Sequence, residues 1–172
     1  MPFNPKFFKK LFDHSDDRAL LAAVKSSDNP TLRFRVYPEL AKCGIALNEH
    51  SALPYIVLGA SIARLGLKAD GTLSLGQALR LCFKEQGPDD PGVQSRLRRV
   101  LACDSAKELC QILPSLLKLI ESRLEGAALS YSELYNLIIL FDLSLDRARA
   151  KLVQQFYGFD TDSKTEEQGA SA

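Results

Sequence analysis

The sequence predicts an all-α fold, and three observations support this class. Apolar residues recur at intervals of three and four along most of the 172 residues, which is the period of an amphipathic helix. Serine and aspartate, which favour helix starts, precede several of these segments. No segment shows the sustained alternation of β-branched and polar residues that indicates a strand. We therefore expect a compact bundle of eight or nine helices.

The first predicted helices follow from apolar faces, caps and prolines. Lys6–Phe12 places aromatic residues and a leucine on one face and lysines on the other, so we expect this segment to pack on its own core or on a partner. A second helix begins near Ser15 and ends near Ser27. A third begins at Pro30, and Pro38 is expected to kink or split it.

The remaining predicted helices lie on both sides of a strong loop at Gly87–Gly92, which contains two glycines, two prolines and two aspartates. A capping box at Ser105 and Glu108 is expected to open the seventh of the chain's helices. The segments are 48–65, 75–86, 93–102, 106–124, 131–142 and 144–157. We expect an N-terminal bundle over residues 1–87, a C-terminal bundle over residues 93–158 and a disordered acidic tail over residues 159–172.

Composition limits the classes of function. The chain has 22 Lys and Arg against 21 Asp and Glu, a net charge of +1. Because nucleic-acid-binding domains are usually visibly basic, any such role must depend on local patches. No apolar run approaches the roughly 20 residues of a membrane span, and the first residues lack the apolar core of a signal peptide. We expect a cytoplasmic protein that contacts no membrane.

Motifs for catalysis and for metal or cofactor binding are absent from the sequence. The cysteines, at positions 43, 82, 103 and 110, form no CxxC pair, so we expect buried free thiols rather than a zinc site. A cysteine–histidine nucleophile pair would have to use His14 or His50, and no spacing supports one. No phosphate loop, nucleophile elbow or HExxH motif occurs. We expect no cofactor and no enzymatic activity.

The densest basic cluster lies on the helix that follows the loop. Arg96 and Arg99 are three residues apart and share a helix face, with Arg98 to one side, whereas Leu97 and Val100 lie opposite. A row of arginines backed by apolar residues suits contacts with a phosphate backbone. The same pattern is also found on ordinary solvated helices.

A second basic cluster lies on the last helix. Arg147 and Lys151 are four residues apart and project together, and Arg149 lies between them. Two weaker pairs occur elsewhere, namely Arg33 with Arg35 and Arg80 with Lys84. Such patches could line a groove together, or they could be ordinary surface beside acidic neighbours.

The order of these elements resembles a known family. The segments are 73–79, LSLGQAL, and 95–104, SRLRRVLACD, followed by the last helix with Arg147, Arg149 and a Phe-Tyr pair near its end. Together they resemble the CasB family, the small subunit of the type I-E CRISPR Cascade surveillance complex. The resemblance covers about Arg18–Tyr157.

The resemblance implies a compact helical subunit without catalytic activity. Two copies would lie along the inner face of the complex beside the guide RNA, in contact with other Cascade subunits. They would help to hold the guide–target duplex and the displaced DNA strand, while a separate recruited nuclease-helicase cleaves the target. Because guide pairing reads the sequence, such a subunit needs only backbone contacts.

Two departures from the family pattern concern its basic LRR motifs. Where the family has an LRR in its own first helix, this chain has Val24-Lys25-Ser26, in its second predicted helix, so only Lys25 carries over. The helix after the capping box has Ile112-Leu113-Pro114, where no charge carries over. Arg96, Arg147 and Arg149 match the family, and Arg98 and Arg99 stand where it is less basic. The predicted nucleic-acid-binding residues are Lys25, Arg96, Arg98, Arg99, Arg147, Arg149 and Lys151.

Two other classes of function compete with this hypothesis. A helical adaptor or scaffold that binds only protein partners is favoured by the near-neutral charge and by the acidic tail. An enzyme with an unfamiliar helical active site would ordinarily show a metal or paired-carboxylate signature, which is not visible in the sequence.

Overall fold

A computed structural model describes residues 2–124 and 129–158. Within these residues the chain folds into nine α-helices and one 3-10 helix, and Leu73 and Leu129 form a single isolated parallel bridge. The elements are α1 (Lys6–Asp13), α2 (Arg18–Ser26), the 3-10 helix (Pro30–Arg35), α3 (Tyr37–Lys42), α4 (Glu49–Leu65), α5 (Leu75–Cys82), α6 (Pro91–Leu101), α7 (Ala106–Arg123), α8 (Tyr131–Leu143) and α9 (Leu145–Tyr157). The predicted all-α class is confirmed. The predicted acidic tail lies outside the described residues.

Helix α4 is the central element of the bundle. All its residues from Ser51 to Ala63 are buried, and α1, α2, α7 and α8 pack around it. The two prolines inside helices, Pro54 in α4 and Pro114 in α7, leave each helix continuous over its full range. The predicted break at Pro38 is confirmed, because Val36 ends the 3-10 helix and begins α3.

Helix α1 packs on the chain's own core. Phe7, Phe8 and Leu11 are buried against α4. A β-carbon on Gly59 would lie 2.7 Å from the Phe7 ring, so this glycine allows the close approach of the two helices. The aromatic cluster formed here comprises Phe3, Phe7, Phe8, Tyr55 and Tyr135.

Helix α5 is shorter than predicted. It ends at Cys82 rather than Gln86, because Phe83 leaves the helical conformation and buries its ring, which is 4% exposed. Burial of a large ring outweighs the favourable helix propensity of the Lys84 and Glu85 that follow it. Gly87, with φ of +81°, ends the turn that follows.

Two predicted caps differ from the observed ones. The N-cap of α2 is Asp17, whose carboxylate accepts a hydrogen bond from the Leu20 amide, rather than Ser15. The capping box at Ser105 is half formed, because the Glu108 carboxylate accepts from the Asp104 amide instead of that of Ser105. A complete, reciprocal box occurs instead at the start of α5.

Helix α5 docks closely on α9, the last helix. A β-carbon on Gly76 would lie 2.6 Å from the Phe156 amide nitrogen and 2.8 Å from the Leu152 carbonyl oxygen. The glycine of the SLG segment therefore allows backbone-to-backbone packing. This contact joins elements on either side of the Gly87–Gly92 loop, and the division into bundles 1–87 and 93–158 stays a prediction.

The structure also bears on the thiols and on membrane insertion. All four cysteines are buried and free, as predicted. Burial raises the pKa of each thiol, to about 12 for Cys110. No helix among the described residues is long and apolar enough to cross a membrane.

We expect the native thiols to resist alkylation, because the thiolate is the reactive species and burial disfavours it. Maleimide labelling at neutral pH, followed by mass spectrometry, should be at least about tenfold slower in the native chain than in concentrated guanidinium chloride. Rapid native labelling of any of the four would contradict the burial of that cysteine.

Candidate nucleic-acid interface

Helix α6 carries the densest basic cluster and is well defined at its start. The Asp90 carboxylate accepts hydrogen bonds from the Gly92 amide at 2.9 Å and the Val93 amide at 3.2 Å, and Pro91 occupies the first turn. These interactions fix the N-terminus of the helix. Its apolar stripe, formed by Val93, Leu97 and Val100, is buried.

The opposite face of α6 presents three arginines. Arg96, Arg98 and Arg99 are all exposed, as the sequence predicted from their spacing. The Arg96 guanidinium carbon lies 4.8 Å from the centroid of the Phe83 ring, and its Nη1 donates to the Gly92 carbonyl at 3.0 Å. The cation–π contact orients this side chain along the helix surface.

A fourth arginine joins this surface from α7. The Arg123 guanidinium carbon lies 5.5 Å from the centroid of the same Phe83 ring. The buried Phe83 ring therefore makes cation–π contacts with arginines from two separate helices. We call the set Arg96, Arg98, Arg99 and Arg123 the α6 basic surface.

The four arginines of the α6 basic surface have no carboxylate within ion-pair distance in the part of the chain that the structure describes. Beside them a groove of about 190 Å³ runs between α6 and α7. It is lined by Arg96, Arg99, Val100, Ile112, Ser115, Leu116 and Leu119. Uncompensated cations beside a shallow apolar groove can bind a polyanion without base-specific contacts.

The arginine cluster of α9 is partly used inside the chain. Arg149 donates from Nε to the Leu101 carbonyl at 2.8 Å and from Nη2 to the Asp104 carboxylate at 2.8 Å. The first bond satisfies a carbonyl at the end of α6, and the Asp104 carboxylate partly neutralises the charge of Arg149. Lys151 lies 3.7 Å from the Glu133 carboxylate. Arg147 is exposed and has no partner among the described residues.

The other sequence-predicted cations are dispersed. Lys25 is exposed on α2, a helix that packs against α4. In each of the two weaker pairs one cation is partly buried, namely Arg33 and Arg80. The other member of each pair, Arg35 or Lys84, is exposed. The structure therefore brings a cation of α6 and a cation of α7 together at Phe83. The predicted nucleic-acid contacts of all these residues, including Lys25 and the α9 residues, stay predictions.

One cavity brings a cysteine and a histidine together. Cys110 and His50 line a cavity of about 100 Å³, and the His50 Nδ1 lies 3.3 Å from the Asp142 carboxylate. Burial raises the pKa of Cys110 to about 12, so its thiol is protonated at neutral pH and is a poor nucleophile. No group of three His, Cys, Asp or Glu that could hold a metal occurs among the described residues.

Comparison with protein families decides the identity. The family model described as CRISPR-associated protein Cse2 matches residues 17–157, a segment that includes every helix from α2 to α9. The chain belongs to the Cse2 family. Members of this family, also called CasB, are structural subunits of the CRISPR Cascade complex. No curated protein and no solved structure gave a significant match to the chain.

The Cse2-like SLG segment has a structural role in the fold. The Ser74 hydroxyl accepts from the Gln77 amide, and the Gln77 side chain accepts in turn from the Ser74 amide. The adjacent Gly76 lies against α9. The segment therefore fixes both the start of α5 and its docking on the last helix.

On α7 this Cse2-family chain has Ile112-Leu113-Pro114 in place of the basic LRR motif, and this segment lies beside the groove. Ile112 lines the groove opposite Arg99, and Leu113 is fully buried. The side of the groove formed by α7 therefore carries no charged residue, and the positive charge of the groove comes from Arg96 and Arg99 of α6.

Sequence reasoning missed Arg123. It is a single arginine near the end of α7, with no basic residue directly beside it in the sequence. Its membership of the surface depends on Phe83, which links it to Arg96. A tertiary contact of this kind leaves no local signal in the sequence.

Proposed function

We propose that this Cse2-family subunit contacts the nucleic acids of the Cascade complex through the α6 basic surface. The supporting observation is the convergence of four exposed arginines, from two helices, without carboxylate partners in the described part of the chain. One guanidinium group can donate two parallel hydrogen bonds to two phosphate oxygens, and it remains charged at any physiological pH.

In the proposed role the subunit is a non-catalytic component that stabilises the R-loop. It contacts the guide RNA, the target strand and the displaced strand through their phosphates, in the cytoplasm, beside other Cascade subunits and a second copy of itself. Base-specific contacts are unnecessary, because guide pairing selects the target. The apolar residues of the groove, Val100, Ile112, Leu116 and Leu119, support this mode, because their side chains form no hydrogen bonds with bases.

A charge-reversal experiment tests the site. In an assembled Cascade complex, we expect the double change Arg96→Glu and Arg99→Glu to weaken target-DNA binding by about tenfold or more at low salt. We also expect it to reduce by about two the magnitude of the slope of the log binding constant against the log salt concentration. The expected cause is the loss of two phosphate contacts and the repulsion of two new carboxylates. Titrations at several salt concentrations measure both quantities.

A matched control is available on α1. Lys6 and Lys9 are exposed and also three residues apart, so Lys6→Glu with Lys9→Glu makes the same change of charge on a helix that packs against α4. We expect this control to leave DNA affinity within about twofold of the wild type. Wild-type affinity and slope in the Arg96 and Arg99 variant would contradict the proposed site.

A second candidate function, protein-only scaffolding, is favoured by one surface. Leu81 and Tyr157 are 42% and 40% exposed, and they lie beside a pocket of about 330 Å³ between α5 and α9. Exposed apolar groups beside a pocket suit a protein contact. Assembly that survives nuclease treatment and high salt unchanged, without bound RNA, would favour this role over the first.

A further inference from the structure

The end of α9 lies beside the start of α6. The Gln94 side-chain amide, in the first turns of α6, donates to the Tyr157 hydroxyl at 2.8 Å. Gly158, with φ of +75°, ends α9 in the left-handed conformation. The chain therefore leaves its last helix next to the helix that carries most of the α6 basic surface.

The residues that follow have the complementary charge. Residues 159–172, the acidic tail, lie outside the described residues, and their sequence contains four carboxylates against one lysine. The carboxylates are Asp160, Asp162, Glu166 and Glu167. The four arginines of the α6 basic surface have no carboxylate partner among the described residues.

The tail is long enough to reach this surface. Helix α6 has 11 residues and is about 16 Å long, whereas an extended chain of the tail's length spans up to about 46 Å. A tether that begins beside the surface gives the tail an effective concentration of the order of millimolar. Individually weak, exposed ion pairs can then be occupied for a substantial fraction of the time.

We infer that the acidic tail binds the α6 basic surface of its own chain and competes there with nucleic acid. The binding follows from charge and position, whereas the competition rests on the proposed function of the surface. The tail suppresses non-specific binding by the free subunit. The dense phosphates of an assembled guide–target duplex displace it, because they offer more charge to the same arginines.

The first experiment detects the contact without nucleic acid. Amide NMR spectra of the full chain are compared with those of the variant Asp160→Asn, Asp162→Asn, Glu166→Gln and Glu167→Gln. We expect shifts of the α6 amides and of the Arg96 and Arg99 Nε signals, and we expect these differences to vanish at high salt.

The second experiment measures competition with a single-stranded oligothymidylate. By fluorescence anisotropy, the four-site tail variant should bind about threefold to tenfold tighter than the wild type at low salt, and the two should converge at high salt. Two double variants with the same change of net charge distinguish an effect of the tail from an effect of net charge alone. Asp160→Asn with Asp162→Asn should tighten binding, whereas Asp13→Asn with Asp16→Asn, the same change at exposed positions around α1 and α2, should not.

The outcomes are distinguishable. Unchanged α6 and arginine signals in the tail variant would overturn the inference, whatever the oligonucleotide does. Shifted signals with equal affinities of both chains would overturn the competition. Shifted signals without oligonucleotide binding by either chain, or by the assembled complex, would support the tail contact and would overturn the proposed function instead.

Discussion

Replacement of Arg64 by alanine should lower the free energy of unfolding by about 3 kcal/mol. Arg64 connects three elements, because it donates to Glu121 of α7 at 3.0 and 3.2 Å and also pairs with Asp28 of the turn after α2. All three side chains are largely buried, with 14–20% exposure. Removing the cation leaves two carboxylates with little compensation in a poorly solvated site, since Lys118 reaches Asp28 only at 3.6 Å.

Urea unfolding, monitored by far-ultraviolet circular dichroism, measures this effect. Lys9→Ala is the control, because the Lys9–Asp13 pair is exposed and should contribute about 0.5 kcal/mol or less. The double change Arg64→Met with Glu121→Leu should recover part of the loss, since both charges leave together. A double variant as unstable as the sum of its single variants would show that the two side chains are not coupled.

Replacement of Gly76 by alanine should destabilise the chain by about 1–3 kcal/mol, in spite of alanine's better helix propensity. The new methyl group would meet the backbone of α9 at 2.6 and 2.8 Å. Backbone atoms inside a helix cannot move aside singly, so α5 and α9 would have to separate. The lost packing then exceeds the gain of about 1 kcal/mol from propensity.

Gly92 provides the matched control for Gly76. Each is the second residue of its helix, but a β-carbon at Gly92 would meet only side-chain atoms, 3.1 Å from an Asp90 oxygen and 3.5 Å from an Arg96 nitrogen. We expect Gly92→Ala to change stability by no more than about 0.5 kcal/mol. Equal midpoints for the two variants in thermal unfolding would contradict close packing of α5 on α9.

The sequence predicts those parts of this fold that depend on local periodicity. The apolar residues of α4, the break at Pro38 and the stripe of α6 all follow from spacing and from proline stereochemistry. The end of α5 cannot be predicted in this way, because it is set by the burial of the Phe83 ring against other helices of the core. Helix propensity alone continues the helix through Lys84 and Glu85.

The candidate site shows the same division between local and tertiary information. Arg96 and Arg99 lie on one helix face, so their spacing predicts that they act together. Arg149 resembles them in sequence, but its guanidinium donates to the carbonyls of Leu101, the last residue of α6, and of Cys103, which follows the helix. Arg123 joins the surface through a buried ring on another element. Only the folded chain shows which cations are exposed and which are used internally.

The docking of α5 on α9 also has a consequence for biosynthesis. Gly76 and its contacts on α9 are separated by about 80 positions in the chain. At an elongation rate of about 5–20 residues per second, α5 is synthesised about 4–16 seconds before the part of α9 that it contacts. During that interval the face of α5 that packs on α9 has no native cover, because the α9 backbone against which Gly76 lies has not yet been made.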